Sequence, residues 1–265
     1  MSDANWFVSS DGANLENADR KLEEIDSRLE NCSDNIQKAN LFLSKAVIYG
    51  SISNLEEARK QLTLAKSAAP DDPDVELQHD YLQAILYHAV DAREAFERFG
   101  NVLLRHSRRL SAPDARFLYE DIQQRRAFEL VSLGRFSEAT SIFHEILQFT
   151  LLDQDRSNAL AAIGLCYSHL EDFPLAMKYL KAACDRGLTV EYEGEVHFEM
   201  GVCFACTGLL KEAQAEFEEC EKKAEQYQCP LDKVYQWLAW VHQKLGETGS
   251  SRSYEQLAVE INRRQ

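Results

Sequence analysis

Helix breakers are scarce in this 265-residue chain, which holds five prolines and eleven glycines. The long unbroken runs are rich in Ala, Leu, Glu, Lys, Gln and Arg and favour helix on intrinsic propensity. No segment alternates apolar and polar residues with β-branched enrichment, so no sheet is expected. No run approaches the ~20 apolar residues that a membrane span requires. The opening Met1-Ser2-Asp3-Ala4-Asn5-Trp6 lacks the basic-then-apolar order of a secretory signal. Basic charge is also short: 29 Lys and Arg against 44 Asp and Glu give a net charge of −15. A surface of that sign repels phosphate backbones and anionic headgroups, so neither nucleic acid nor membrane is expected as a partner. The one dense basic stretch, Arg105-His106-Ser107-Arg108-Arg109, reads as a helix end, where cations suit the dipole.

The chemical motifs of enzymes are missing too. There is no glycine-rich phosphate loop, no G-x-S-x-G and no H-E-x-x-H. The seven cysteines are odd in number, several lie inside apolar helical patterns, and they form no disulfide framework. Reduced thiols and a cytoplasmic chain are expected. Cys203-Phe204-Ala205-Cys206 is a C-x-x-C, but no second pair stands at zinc spacing, so no metal site is expected. The seven histidines are scattered, with no H-x-x-x-H pair and no regular acid partner. No cofactor and no catalysis are expected.

What the chain does have is a period. Ala127, Gly164, Gly201 and Ala239 each open a similar segment, and their spacings are 37, 37 and 38. Each is followed by a bulky residue and a short turn, with Gly134, Asp172, Gly208 or Gly246 in it. Ala139, Ala176 and Ala213 come next, then Phe143, Leu180 and Phe217. Earlier copies run from Ala46 through Ala58 to Leu62, and from Ala84 through Ala95 to Phe99. The gap from Ala84 to Ala127 is 43, so an insertion lies between them, placed at Ser111-Ala112-Pro113-Asp114 with Ser111 as a helix opener. Each unit reads as two helices. Small residues are needed where the pair crosses closely, and the large residues fill the space beside the crossing. Upstream, Leu15, Ala18, Leu22, Ile25 and Leu29 form one apolar stripe of a further helix.

This pattern resembles the tetratricopeptide repeat. In that register the small residue is position 8, with a large residue at 11, Ala at 20 and a large residue at 24. The family's usual period is 34, with W-x2-L-G-x2-Y and A-x3-F hallmarks. Here the period is longer, Leu160 and His197 stand where the family places Trp, and a proline closes a repeat only at Pro70. The resemblance implies an all-α fold, a right-handed α-α superhelix of helix-turn-helix repeats. The expected layout is a disordered segment at 1–13, a capping helix at 14–33 and about six repeats over 34–265.

The resemblance also implies that first helices line a concave face, with positions 2, 5, 9, 12 and 13 pointing inward. Position 9 reads Val47, Ile85, Phe128, Leu165, Val202 and Trp240, all apolar. Position 5 adds Tyr81, Gln124, Phe198 and Gln236, and Trp237 lies one place from the register. An apolar column of this kind suits an extended or helical protein segment held by side-chain burial, with aromatics as anchors. Longer helices equally allow position 9 to turn into the core between repeats. The two-carboxylate clamp of the family, built on inward Lys and Asn, is absent: Leu43 and Val47, then Tyr81 and Ile85, then Gln124 and Phe128 stand there. The leading expectation is a scaffold or adaptor for a protein or peptide partner. A ligand- or peptide-sensing module and a self-associating homodimer are the alternatives.

Overall fold

The computed structural model describes residues 15–88, 90–150, 152–224 and 230–264. The segment 1–13, expected to be disordered, lies outside them. Every regular element among the described residues is helical, and no described helix is long and apolar enough to cross a membrane. The helices are α1 (Leu15–Glu30), α2 (Asn35–Ser51), α3 (Leu55–Ala68), α4 (Pro73–His88), α5 (Ala92–Arg105), α6 (Ser107–Leu110), α7 (Arg116–Ser132), α8 (Phe136–Phe149), α9 (Asp153–His169), α10 (Phe173–Cys184), α11 (Val190–Cys206), α12 (Leu210–Lys222), α13 (Leu231–Leu245) and α14 (Thr248–Arg264).

The chain forms two compact units that divide inside α7, after Glu129. In unit 1, α1 packs on α2, and the hairpins α2–α3 and α4–α5 follow. Ala18, Leu22 and Ile25 on α1 are buried, as the stripe requires. Unit 2 holds α8 and the hairpins α9–α10, α11–α12 and α13–α14.

The turns explain why each hairpin breaks where it does. Gly134, Gly208 and Gly246 take the left-handed conformation, with φ of 70°, 83° and 83°, where glycine has no steric penalty. Ser53 and Glu171 occupy the equivalent turn places at φ 60° without that freedom. Behind them Asn54 and Asp172 cap the next helix by accepting from Glu57 N and Leu175 N, both at 3.2 Å. Asp72 caps α4 by accepting from Val75 N at 2.9 Å, with Pro73 in the first helical place.

The crossings show why position 8 must be small. A Cβ on Gly164 would stand 2.7 Å from the Leu180 side chain, and one on Gly201 would stand 2.6 Å from the Phe217 ring. Ala58, Ala95, Ala139, Ala176 and Ala213 at position 20 are fully buried, as are Leu62, Phe99, Leu180 and Phe217 at position 24. The last hairpin departs from the pattern. Ser251 takes the buried position 20, and Glu255 stands exposed where the others carry a large apolar residue.

The insertion between repeats is longer than Ser111-Ala112-Pro113-Asp114 suggests. It comprises α6 and a 3-10 turn, Pro113–Ala115, whose buried Leu110 and Ala115 join the core under α4 and α5. Ser111 does not open a helix: its hydroxyl donates back to Ser107 O at 2.7 Å, and Ala112 precedes the turn without a side-chain cap. The basic stretch latches this insertion down. Arg109 reaches Asp74 at 2.7 Å and grips Asp114 with two donors at 3.0 and 3.1 Å, while buried His106 meets Asp80 at 3.1 Å.

Candidate functional site

The first helices present the columns that the repeat register marks out. In unit 1 these are α2, α4 and the part of α7 up to Glu129. Val47 and Ile85 are half-buried and lean on the core between repeats. Tyr81 is buried, and its hydroxyl donates to Asp121. Arg125 donates its Nε to Asp121 Oδ2 at 2.9 Å and to the Tyr81 oxygen at 3.2 Å. Burial and the Asp121 charge push the Tyr81 phenol far above its ordinary range. Gln124 and Phe128 are half-buried on the same helix as this network. One turn further along, His88 bonds Glu129, a carboxylate that is 1% exposed.

Unit 2 is different. Leu165 on α9 and Phe198 on α11 are buried. Val202 on α11 and Trp237 on α13 are half-buried, and Gln236 and Trp240 are exposed. Trp240 retains 36% of its surface to solvent and meets Trp237 edge-on, with ring centroids 5.6 Å apart. Trp237 in turn stacks on the core ring of Phe217 at 5.9 Å, which fixes the pair to the scaffold. Lys244 Nζ stands 5.4 Å from the Trp240 ring. Among the described residues at position 9, Trp240 alone is exposed; Leu165 is buried and the others are seam residues between core and solvent.

The sequence reading passed over the polar positions of the same face. Asn158 on α9, Glu195 and Glu199 on α11 and Lys233 on α13 lie at helical spacing from the apolar column. Ser168 on α9 donates to Glu199 Oε2 at 2.6 Å, tying α9 to α11. Solvent reaches Glu195, yet the surrounding protein withdraws enough water to push its carboxyl above the usual range. The Glu199 charge adds to the rise, and His169 on α9 and Lys233 oppose it. Three helices therefore converge electrostatically on Glu195. The 3–4 spacing of residues 195, 199 and 202 is the signal that could have found this face.

The thiols and histidines are accounted for structurally. The six described cysteines are free. Cys203 is buried and donates to Ser168 Oγ at 3.6 Å, whereas Cys206 is exposed, so the two halves of the C-x-x-C do not share an environment. Burial pushes the Cys203 thiol up to about 11, which suppresses the reactive thiolate. The histidines do have acid partners, contrary to the sequence reading. His79, His88, His106, His197 and His242 each bond a carboxylate. Most of these partners lie far off in sequence or on another helix, which spacing alone does not reveal. Against burial, hydrogen bonds from His79 and His106 hold the Asp80 carboxyl well below the usual range. No group of His, Cys, Asp and Glu among the described residues is arranged to hold a metal ion.

No family model matches the sequence, and no curated protein does. The structure, by contrast, is similar to many solved ones. The tetratricopeptide repeat sensor protein of the STAND signal-transduction ATPase group from Pyrococcus horikoshii superposes with a TM-score of 0.70 at 16% identity, over 93% of this chain and 42% of that one. The apo form of the quorum sensor NprR from B. thuringiensis gives a TM-score of 0.63 at 16% identity, over 94% and 82%. YrrB, a TPR protein with an unusual peptide-binding site, gives 0.50 at 15% identity, over 74% and 90%. At these identities the likeness speaks for the fold, and it agrees with the buried small-residue crossings and left-handed turns described above: the chain is a helical-repeat protein with the tetratricopeptide-repeat fold.

Proposed function

We propose that the protein is a non-enzymatic interaction module that holds a segment of a protein partner on the first-helix face of unit 2. The observation that carries this reading is Trp240. An indole in a monomeric soluble surface is commonly covered, and one held rigid beside a second indole is a natural anchor for a partner. Val202, Gln236 and Trp237 extend the surface along α11 and α13. Of the eleven residues that the register proposes, Leu165 and Phe198 support this face from beneath and Val202 offers partial side-chain area, whereas Val47, Tyr81, Ile85, Gln124 and Phe128 belong to unit 1.

Two similar structures are sensors by name, and a third has a peptide-binding site, which supports a peptide ligand and a sensing role as the second reading. Free buried thiols support a reducing compartment such as the cytoplasm. The last hairpin shows an exposed Glu255 at the place that carries a buried, large apolar residue in the earlier repeats, which favours a monomer over self-assembly through that end.

The test is a pull-down with the full chain, comparing wild type with Trp240→Ala, followed by titration of the captured partner. Loss of a hot-spot Trp costs at least about 2 kcal/mol of binding, or roughly 30-fold. Because Trp240 is exposed, the variant should melt within a degree or two of wild type. An undiminished affinity for every captured partner would remove the reading.

A further inference from the structure

Resting on that reading, we infer that the segment held at Trp240 is acidic as well as apolar, and that it sets a side-chain carboxylate against Lys244. The inference starts from a single helix. Lys233, Trp237, Trp240 and Lys244 follow one another along α13 at spacings of four, three and four. At about 100° per residue these places fall within ~60° of arc, so one stripe carries a cation at each end and two indoles between. The lysines stand about 16 Å apart along the axis, at ~1.5 Å per residue. Gln236 and Gln243 flank the stripe, and none of the six residues is an acid. The contact between the two indoles and the stack of Trp237 on Phe217 hold the stripe in place.

Lys244 is the sharper end of it. Cations elsewhere on these helices find an acid one turn back: Lys60 meets Glu56, Arg98 meets Glu94 and Lys223 meets Glu219. Lys244 has Trp240 in that place, and its Nζ lies 5.4 Å from the ring. The acid one turn ahead is committed elsewhere, with Glu247 Oε2 2.6 Å from His242 Nδ1. Lys244 is exposed and forms no ion pair with a described residue, so water alone solvates its charge. A side chain that covers Trp240 must also strip water from the ammonium beside the ring. That is costly unless the same segment supplies a counter-charge. Apolar contact and carboxylate are therefore a single requirement. The Lys233 end demands less, because Glu195 on α11 already acts on it.

The source of the carboxylate is a polypeptide side chain. The net charge of −15 repels a phosphate backbone at long range. A single carboxylate among apolar residues meets Lys244 at contact, inside the ~10 Å beyond which salt screens the rest of the surface. The partner is therefore a short segment with large apolar side chains for the indoles and an acid at one or both ends. It differs from a chain terminus held in a two-carboxylate clamp, because its own terminus takes no part.

The experiment uses the full chain and two fluorescein-labelled peptides, both amidated at the C-terminus. One carries leucines between two glutamates set about 16 Å apart as a helix; in the other, glutamines replace the glutamates. Fluorescence anisotropy should show the glutamate peptide binding about tenfold tighter, as a hydrogen bond between charged groups requires. High salt should shrink that ratio. Lys244→Gln should erase the advantage by weakening the glutamate peptide and not the glutamine one. Lys244→Arg should keep it, and Lys233→Gln should reduce it by less. Thermal melts of these variants should match wild type, since residues 233 and 244 are exposed. Trp240→Ala should weaken both peptides alike, which tests the underlying reading separately. Equal affinity for the two peptides overturns the inference but leaves the Trp240 surface standing as a charge-blind one. A glutamate preference that Lys244→Gln does not alter overturns it as well, and so does tighter binding of a labelled single-stranded oligonucleotide than of the glutamate peptide. If neither peptide binds, the inference fails, and the Trp240 pull-down decides the broader reading by itself.

Discussion

Units 1 and 2 share a helical register but use its polar positions in opposite ways. In unit 1, Asp121 at position 2 and Arg125 at position 6 of α7 close around the Tyr81 hydroxyl from position 5 of α4. Their charges cancel within the protein. In unit 2, positions 2 and 6 of α11 are Glu195 and Glu199, two acids that form no ion pair with a basic residue among the described residues. The comparison separates two tasks. Apolar periodicity decides where a side chain stands; the polar residue placed there decides whether its charge is matched within the protein.

The most damaging change to either unit should be loss of a ring at a helix crossing. Phe99→Ala in unit 1 and Phe217→Ala in unit 2 each remove a fully buried side chain. Each should cost about 3–5 kcal/mol in denaturant unfolding. A much smaller loss in one unit would mean that its crossing can collapse around the hole.

A sharper contrast comes from the polar positions. Asp121→Ala strands a buried hydroxyl and a half-buried guanidinium and should cost about 1–3 kcal/mol. Glu195→Gln removes an exposed charge that no hydrogen bond or ion pair with a described residue holds and should shift stability by less than ~0.5 kcal/mol. Similar costs for the two would erase the distinction between a matched and an unmatched charge. Next in size is the cap behind the α9–α10 turn, where Asp172→Ala should cost about 1 kcal/mol. Glu171→Gly beside it should recover part of that by relieving the left-handed strain. Thermal unfolding of the two single variants and the double variant tests this.

The smallest effect is a pH dependence. The hydrogen bond to Glu216, helped by its charge, holds the His197 pKa above 6.5 against opposing burial. A raised folded-state pKa means that the folded chain binds this proton more tightly than the unfolded one does. The resulting stability is fully present below about pH 6.5 and is lost as pH rises through the raised value. His197→Gln should flatten that part of the stability profile, by somewhat less than ~1 kcal/mol. A variant profile parallel to wild type across this window would show that the pair contributes nothing.

Burial leaves a periodic trace, and that part of the molecule was legible in the sequence. The small residues at 127, 164, 201 and 239, the alanines at 139, 176 and 213 and the α1 stripe all follow from how tightly helices cross. Side-chain pairing leaves no such trace. Tyr81 meets Asp121, His88 meets Glu129 and Ser168 meets Glu199, each across more than thirty residues. Nothing in the spacing of either partner announces the other. The insertion was placed correctly but read too simply, because Arg109 and His106 hold it through Asp74 and Asp80 on α4, more than twenty residues earlier in the chain. Residue 240 was marked by its register, whereas residues 195 and 199 were missed because the apolar column drew attention away from the polar places beside it.

The close approach at Gly201 has a consequence for descent. With a Cβ there only 2.6 Å from the Phe217 ring, neither position is free to change alone. Residues 201 and 217 behave as one heritable character. Relatives of this chain should show a bulkier residue at the first place only where the second has shrunk, and a single-site library should find alanine at 201 tolerated best on a Phe217→Leu background.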